Sequence, residues 1–111
     1  MENRVSEQNG VVIIALSGKI MGGPEANQIN DQINQFIDSG KKRIVIDLEH
    51  VEWMNSSGLG ILINAVTTLK NNGGKLFLVN ASDRIKNLLK ITKLISVFNL
   101  EDSVDKAIEQ L

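Results

Sequence analysis

A chain of 111 residues suits one domain and leaves no room for two ordinary ones. Apolar residues make up 42% of it, enough for one packed core, whereas aromatics reach only 4% and the formal net charge is −1; a base-stacking platform and a broad cationic field for a phosphate backbone are both excluded. Cysteine is absent, which rules out disulfides, thiolate metal sites and cysteine nucleophiles.

The N-terminal residues Met1-Glu2-Asn3-Arg4 are polar and lead into no apolar signal segment. The longest apolar stretch nearby, residues 11–16, is far too short to span a bilayer. We therefore expect a single cytoplasmic domain over residues 1–111, with neither membrane nor nucleic acid as partner.

In chain order, Asn9-Gly10 between extended runs at residues 4–8 and 11–16 predicts a hairpin, because both residues tolerate the positive φ of a type I′ turn. Gly18 and Gly22-Gly23-Pro24 then break the chain, and Pro24 suits the first position of a helix. Ala26, Ile29, Ile33, Phe36 and Ile37 follow at helical spacing, with Gly40 as the stop. The apolar run at residues 43–48 reads as a strand buried on both faces. A second helix starts near Ser57, carries Leu59, Leu62, Ile63, Val66 and Leu69, and stops at Asn71-Asn72-Gly73-Gly74. Residues 75–79 form another buried strand. Ala81-Ser82-Asp83 opens a third helix with Ile85, Leu88 and Leu89. Val97-Phe98 is the expected last strand, and Asp102 the expected cap of a terminal helix bearing Val104, Ala107, Ile108 and Leu111. A hairpin followed by alternating helices and strands implies an α/β fold, with a mixed sheet that is parallel in its later part and about four helices.

The segment that carries chemical information is Val51-Glu52-Trp53-Met54-Asn55-Ser56-Ser57-Gly58-Leu59-Gly60. It leaves the central strand and opens the second helix, and binding events in open α/β sheets concentrate at such carboxyl ends of strands. The first helical turn exposes unpaired N–H groups and the positive end of the helix dipole, so a phosphate on a serine there would meet ready donors. Gly58 and Gly60 leave room for a partner's close approach. The simpler reading of Asn-Ser-Ser is plain helix capping, with Gly60 letting the helix sit close to the sheet; spacing alone leaves both readings open.

At these residues the chain resembles the anti-sigma factor antagonist family, bacterial proteins of the STAS fold. The family's Asp-Ser-Ser-Gly-Leu-Gly element stands here as Asn55-Ser56-Ser57-Gly58-Leu59-Gly60. Leu16-Ser17-Gly18-Lys19-Ile20 is similar to its Leu-x-Gly-Glu-Leu segment, Ile44-Val45-Ile46-Asp47-Leu48 to its central strand, and Gly73-Gly74-Lys75-Leu76 to its Gly-Gly turn. The resemblance implies a STAS-like domain, phosphorylation at Ser56, and a docking surface comprising Asn55, Ser56, Ser57, Gly58, Leu59, Gly60, Lys19 and Met21. It implies a serine kinase that is also an anti-sigma factor as partner, bound by the unmodified protein and released on phosphorylation, with a phosphatase to restore binding. The family's aspartate is replaced by Asn55, and the acidic residues of its early segment by Lys19 and Met21. Those replacements favour an alternative, a non-phosphorylated STAS scaffold within a larger complex.

The remaining chemistry-bearing residues point elsewhere. His50 is the only histidine and has no second His or Cys for a metal site, so it reads as a surface residue. Trp53 reads as half-buried packing under the Ser56 loop, with Val51 and Met54 as core beside it. Lys41, Lys42 and Arg43 read as complements to a helix end, and Arg84, Lys86, Lys90 and Lys93 as solvation of the third helix. Gly58-x-Gly60 lacks the third glycine of a dinucleotide fingerprint, and no Gly-Lys-Ser/Thr loop is present, so no cofactor and no catalysis are expected.

Overall fold

The computed structural model describes residues 2–111; the side chains of residues 25 and 26, and with them the expected core role of Ala26, lie outside that description. Strand β1 (Glu2–Gln8) and strand β2 (Val11–Ile20) form the expected hairpin, with Asn9 at φ 54° and Gly10 at φ 76°. Then come α1 (Pro24–Asp38), β3 (Arg43–Met54), α2 (Ser56–Asn71), β4 (Lys75–Val79), α3 (Asp83–Ile91), a 3-10 turn (Ile95–Val97), β5 (Asn99–Glu101) and α4 (Val104–Glu109). The five strands lie side by side in chain order, antiparallel between β1 and β2 and parallel from β2 to β5. The expected α/β architecture of hairpin, parallel strands and four helices is thus observed.

Alternation along the strands builds two cores. Val12, Ile14, Leu16, Ile44, Ile46 and Leu48 point to the face covered by α1, α2 and α3, where they meet Ile29, Ile33, Leu62, Leu69, Ile85 and Leu89. Val11, Ile13, Val45, Phe77 and Val79 point the other way, under Ala107, Val104, Ile108 and Leu111 at the C-terminal end. The central strands are apolar at successive positions because both their faces are covered.

Four expectations need correction. Strand β3 does not end at residue 48 but runs to Met54, and β2 runs on past residue 16 to Ile20 beside it. The register between them slips twice: Ala15 pairs with Asp47 but Ser17 with His50, and Gly18 pairs with Val51 but Lys19 with Trp53. Each slip adds one residue to β3, so its buried residues Leu48, Val51 and Met54 fall three apart and lack the period of a strand. The last strand is Asn99–Glu101, not Val97-Phe98; Phe98 is buried as an anchor just before it, and pairing with Phe77–Val79 holds its polar residues. Asp102 does not cap α4: Ser103 does, its Oγ accepting the Lys106 N–H at 3.2 Å, while Asp102 pairs with the Lys106 ammonium at 3.4 Å. Finally, Lys41 and Arg43 do not complement a helix end. Lys41 reaches Glu7 of β1 at 3.0 Å, and Arg43 donates to the carbonyl of Leu111 at 3.2 Å.

Candidate functional site

Helix α2 begins at the carboxyl end of β3, one residue after the bulged extension. Asn55 is its cap: the backbone is extended (φ −98°, ψ −176°) and the side-chain oxygen accepts the Gly58 N–H at 2.7 Å. The Asn55 N–H donates to the Ile20 carbonyl at 3.2 Å, tying the turn to the end of β2. Capping therefore falls to Asn55, and the amide serves in place of a carboxylate because a cap needs only an acceptor oxygen.

Ser56 and Ser57 are left exposed, and among the described residues neither hydroxyl takes part in a hydrogen bond. They occupy the first two helical positions, where backbone N–H groups have no intrahelical acceptor. No acidic residue lies in the first turn of α2. The positive end of the helix dipole is thus unopposed by local charge at the Ser56 hydroxyl.

The two glycines differ in role. A Cβ on Gly58 would stand 2.0 Å from the Ile20 carbonyl oxygen, so only glycine lets α2 start this close to β2. A Cβ on Gly60 would meet nothing within 4 Å. Of the two glycines expected to leave room for a partner, Gly58 is instead a packing residue against β2, while Gly60 is solvent-facing and does not serve the alternative role of settling the helix on the sheet. Leu59 is also buried and supports the surface from beneath, which corrects its expected place on it. Lys19 and Met21 are exposed, and the loop they flank is pressed against the helix start: Gly22, at φ 89°, has no room for a Cβ, which would stand 2.7 Å from the Ser57 Cβ. The structure thus groups Asn55, Ser56, Ser57 and Gly60 with the loop around Met21, and withdraws Gly58 and Leu59 into the interior.

Trp53 departs from its expected place. It does not lie under the Ser56 loop but faces α3, in a groove with Lys19, Met54, Arg84, Leu88 and Ile91, and it is 39% exposed. Sequence reasoning missed this groove because the bulges set the direction of Trp53, and no local pattern reports a bulge. Val51 and Met54 are core, as expected, and His50 is exposed beside Glu49 at 4.0 Å. Among the described residues no three His, Asp or Glu side chains are grouped to hold a metal, and no helix is long and apolar enough to cross a membrane.

Comparison with known proteins places this geometry. The model of the STAS domain family matches residues 3–107. An anti-sigma-B factor antagonist of Staphylococcus aureus is 29% identical over 82 residues, covering 74% of this chain and 73% of that protein. A crystal structure from Thermotoga maritima, 22% identical, superposes with a TM-score of 0.86 over 97% of this chain and 92% of its own. The Bacillus cell fate determinant SpoIIAA, solved in its phosphorylated form and 22% identical, superposes with a TM-score of 0.74 over 98% of each chain. With its hairpin, its parallel strands and its serine-bearing helix start all inside the matched span, the chain belongs to the STAS domain family.

Proposed function

We propose that this protein is a phosphorylation-switched anti-sigma factor antagonist that works in the cytoplasm as one STAS unit. In this reading the unmodified chain binds a serine kinase that is also an anti-sigma factor. Transfer of the γ-phosphoryl group of ATP to the Ser56 Oγ, with release of ADP and of the hydroxyl proton, ends the binding, and a phosphatase reverses it by hydrolysis to the free serine and inorganic phosphate. The observation that carries the reading is the division of labour at the start of α2: Asn55 supplies the cap, so the Ser56 hydroxyl is exposed and spare. The S. aureus relative, named an anti-sigma-B factor antagonist, supports the role, and SpoIIAA shares the fold and exists in a phosphorylated form.

The switch works through the docking surface. A phosphoserine carries about −1.5 to −2 charges at neutral pH. At the start of α2 these meet free N–H donors, so the folded chain tolerates them. Against a partner, the uncharged surface of Asn55, Ser57 and Gly60 offers no cation to pair with a buried dianion, and desolvating it costs several kcal/mol. The test is incubation with the kinase and ATP followed by peptide mass spectrometry. Phosphate on Ser56 is expected; phosphate on Ser57, or undiminished labelling of Ser56→Ala, overturns the reading.

A second reading, a STAS scaffold that is never phosphorylated, is favoured by Lys19, Met21 and Asn55 standing where the family carries carboxylates. It predicts no phosphate in the same experiment and unaltered assembly of Ser56→Asp into its complex.

A further inference from the structure

The groove beside Trp53 has a chemistry of its own. It encloses about 750 Å³ between the ends of β2 and β3 and one face of α3. Its apolar walls are Trp53, Met54, Ile85, Leu88 and Ile91. Arg84, Leu88 and Ile91 lie at helical spacing along α3, so one stripe of that helix faces it. Trp53 is 39% and Ile91 70% exposed, two of the five large apolar side chains exposed among the described residues. Apolar surface concentrated in this way marks a binding site.

The charge around it is lopsided. Of the four basic residues between positions 83 and 93 only Arg84 lines the groove. Among the described residues Arg84 forms no ion pair. Lys19 stands at the opposite wall, and Glu52 is the one carboxylate lining the groove. Trp53 and Met54 of its wall immediately precede Asn55 and Ser56 in the chain.

We propose that this groove receives an acidic, apolar-anchored segment of the protein partner, a helix or strand that seats a large apolar side chain against Trp53 and sets carboxylates opposite Arg84 and Lys19. The proposal rests on the reading of the Ser56 surface as a docking site and names the chemistry of what docks there. The groove lies open to solvent, with Ile91 of its wall 70% exposed, so a chain segment laid along the α3 stripe covers it where an enclosed small molecule would not. Trp and Arg are the side chains that most often dominate interfaces, and complementary charge sets orientation and on-rate.

Trp53 is the sole tryptophan and tyrosine is absent, so intrinsic fluorescence of the full chain reports from this groove alone. Two synthetic amphipathic peptides with the same Leu/Phe face, one bearing Glu and one Lys on the polar face, are titrated into it. The glutamate peptide is expected to shift Trp53 emission to the blue and to bind at least about tenfold more tightly than the lysine peptide. Arg84→Glu, an exposed change checked by thermal melting, is expected to remove or reverse that preference. Equal binding of the two peptides, an unaltered preference in Arg84→Glu, or a blue shift on adding vesicles of anionic phosphatidylglycerol alone overturns the proposal. Kinase labelling of Ser56 is scored on the same preparation. Labelling without peptide preference sinks the groove and spares the switch; peptide preference without labelling does the opposite.

Discussion

Helices α2 and α3 both start with a polar side chain accepting an N–H three residues on, yet only one start leaves a nucleophile free. In α3 the cap is Ser82, whose Oγ accepts the Ile85 N–H at 3.2 Å. In α2 the cap is Asn55, and the serine that follows it is left over. The same division separates α2 from α4, where Ser103 is again the cap. A serine at these helix starts is thus bound into the fold when it stands at the cap, and its hydroxyl is left unbonded when it stands a position later. The fold distinguishes the two by the identity of a single neighbour.

The comparison can be broken most forcefully at Gly58. Gly58→Ala sets a Cβ against the Ile20 carbonyl, where backbone must move, and is expected to cost about 3 kcal/mol of stability in denaturant unfolding. Gly60→Ala, two residues on, meets open space and is expected to gain up to about 1 kcal/mol from helix propensity. If the two alanines behave alike, α2 does not start as tightly against β2 as described.

The caps come next. Asn55→Ala and Ser82→Ala are each expected to lose about 1 kcal/mol, because each removes the acceptor of a helix N–H. Ser56→Ala is expected to stay within about 0.5 kcal/mol of the parent, since its hydroxyl supports nothing in the fold. A loss at Ser56 equal to that at Ser82 would make Ser56 a second cap and remove the contrast. Ser56→Asp is expected to raise the melting temperature slightly: the carboxylate sits at the favourable end of the α2 dipole, which contributes about 0.3–1 kcal/mol in the stabilising direction.

The same contrast explains what was legible in the sequence. The hairpin, the order of strands and helices, and a helix start within one residue of Ser57 were readable, because turn glycines and periodicity are local signals. The extension of β3 to Met54 was not, since two bulges put Leu48, Val51 and Met54 at a spacing that belongs to no strand. Which glycine touches β2 was hidden for a related reason: the Ile20 carbonyl reaches Gly58 only through the pairing of two strands more than twenty residues apart in sequence. The sequence likewise gives no sign that Trp53 turns toward Arg84 and Ile91, because strand twist and helix packing bring them together. Local chemistry found the serine; long-range pairing shaped the surface around it.

The central claim is that phosphate on Ser56 abolishes docking without disturbing the fold. The most direct measurement is a calorimetric titration of the kinase partner with unmodified and Ser56-phosphorylated chain, each first shown to melt at the same temperature. The account predicts at least about tenfold weaker binding of the phosphorylated form, equivalent to about 1.4 kcal/mol or more. Equal affinities, or a weakened affinity accompanied by unfolding of the phosphorylated chain, would contradict it.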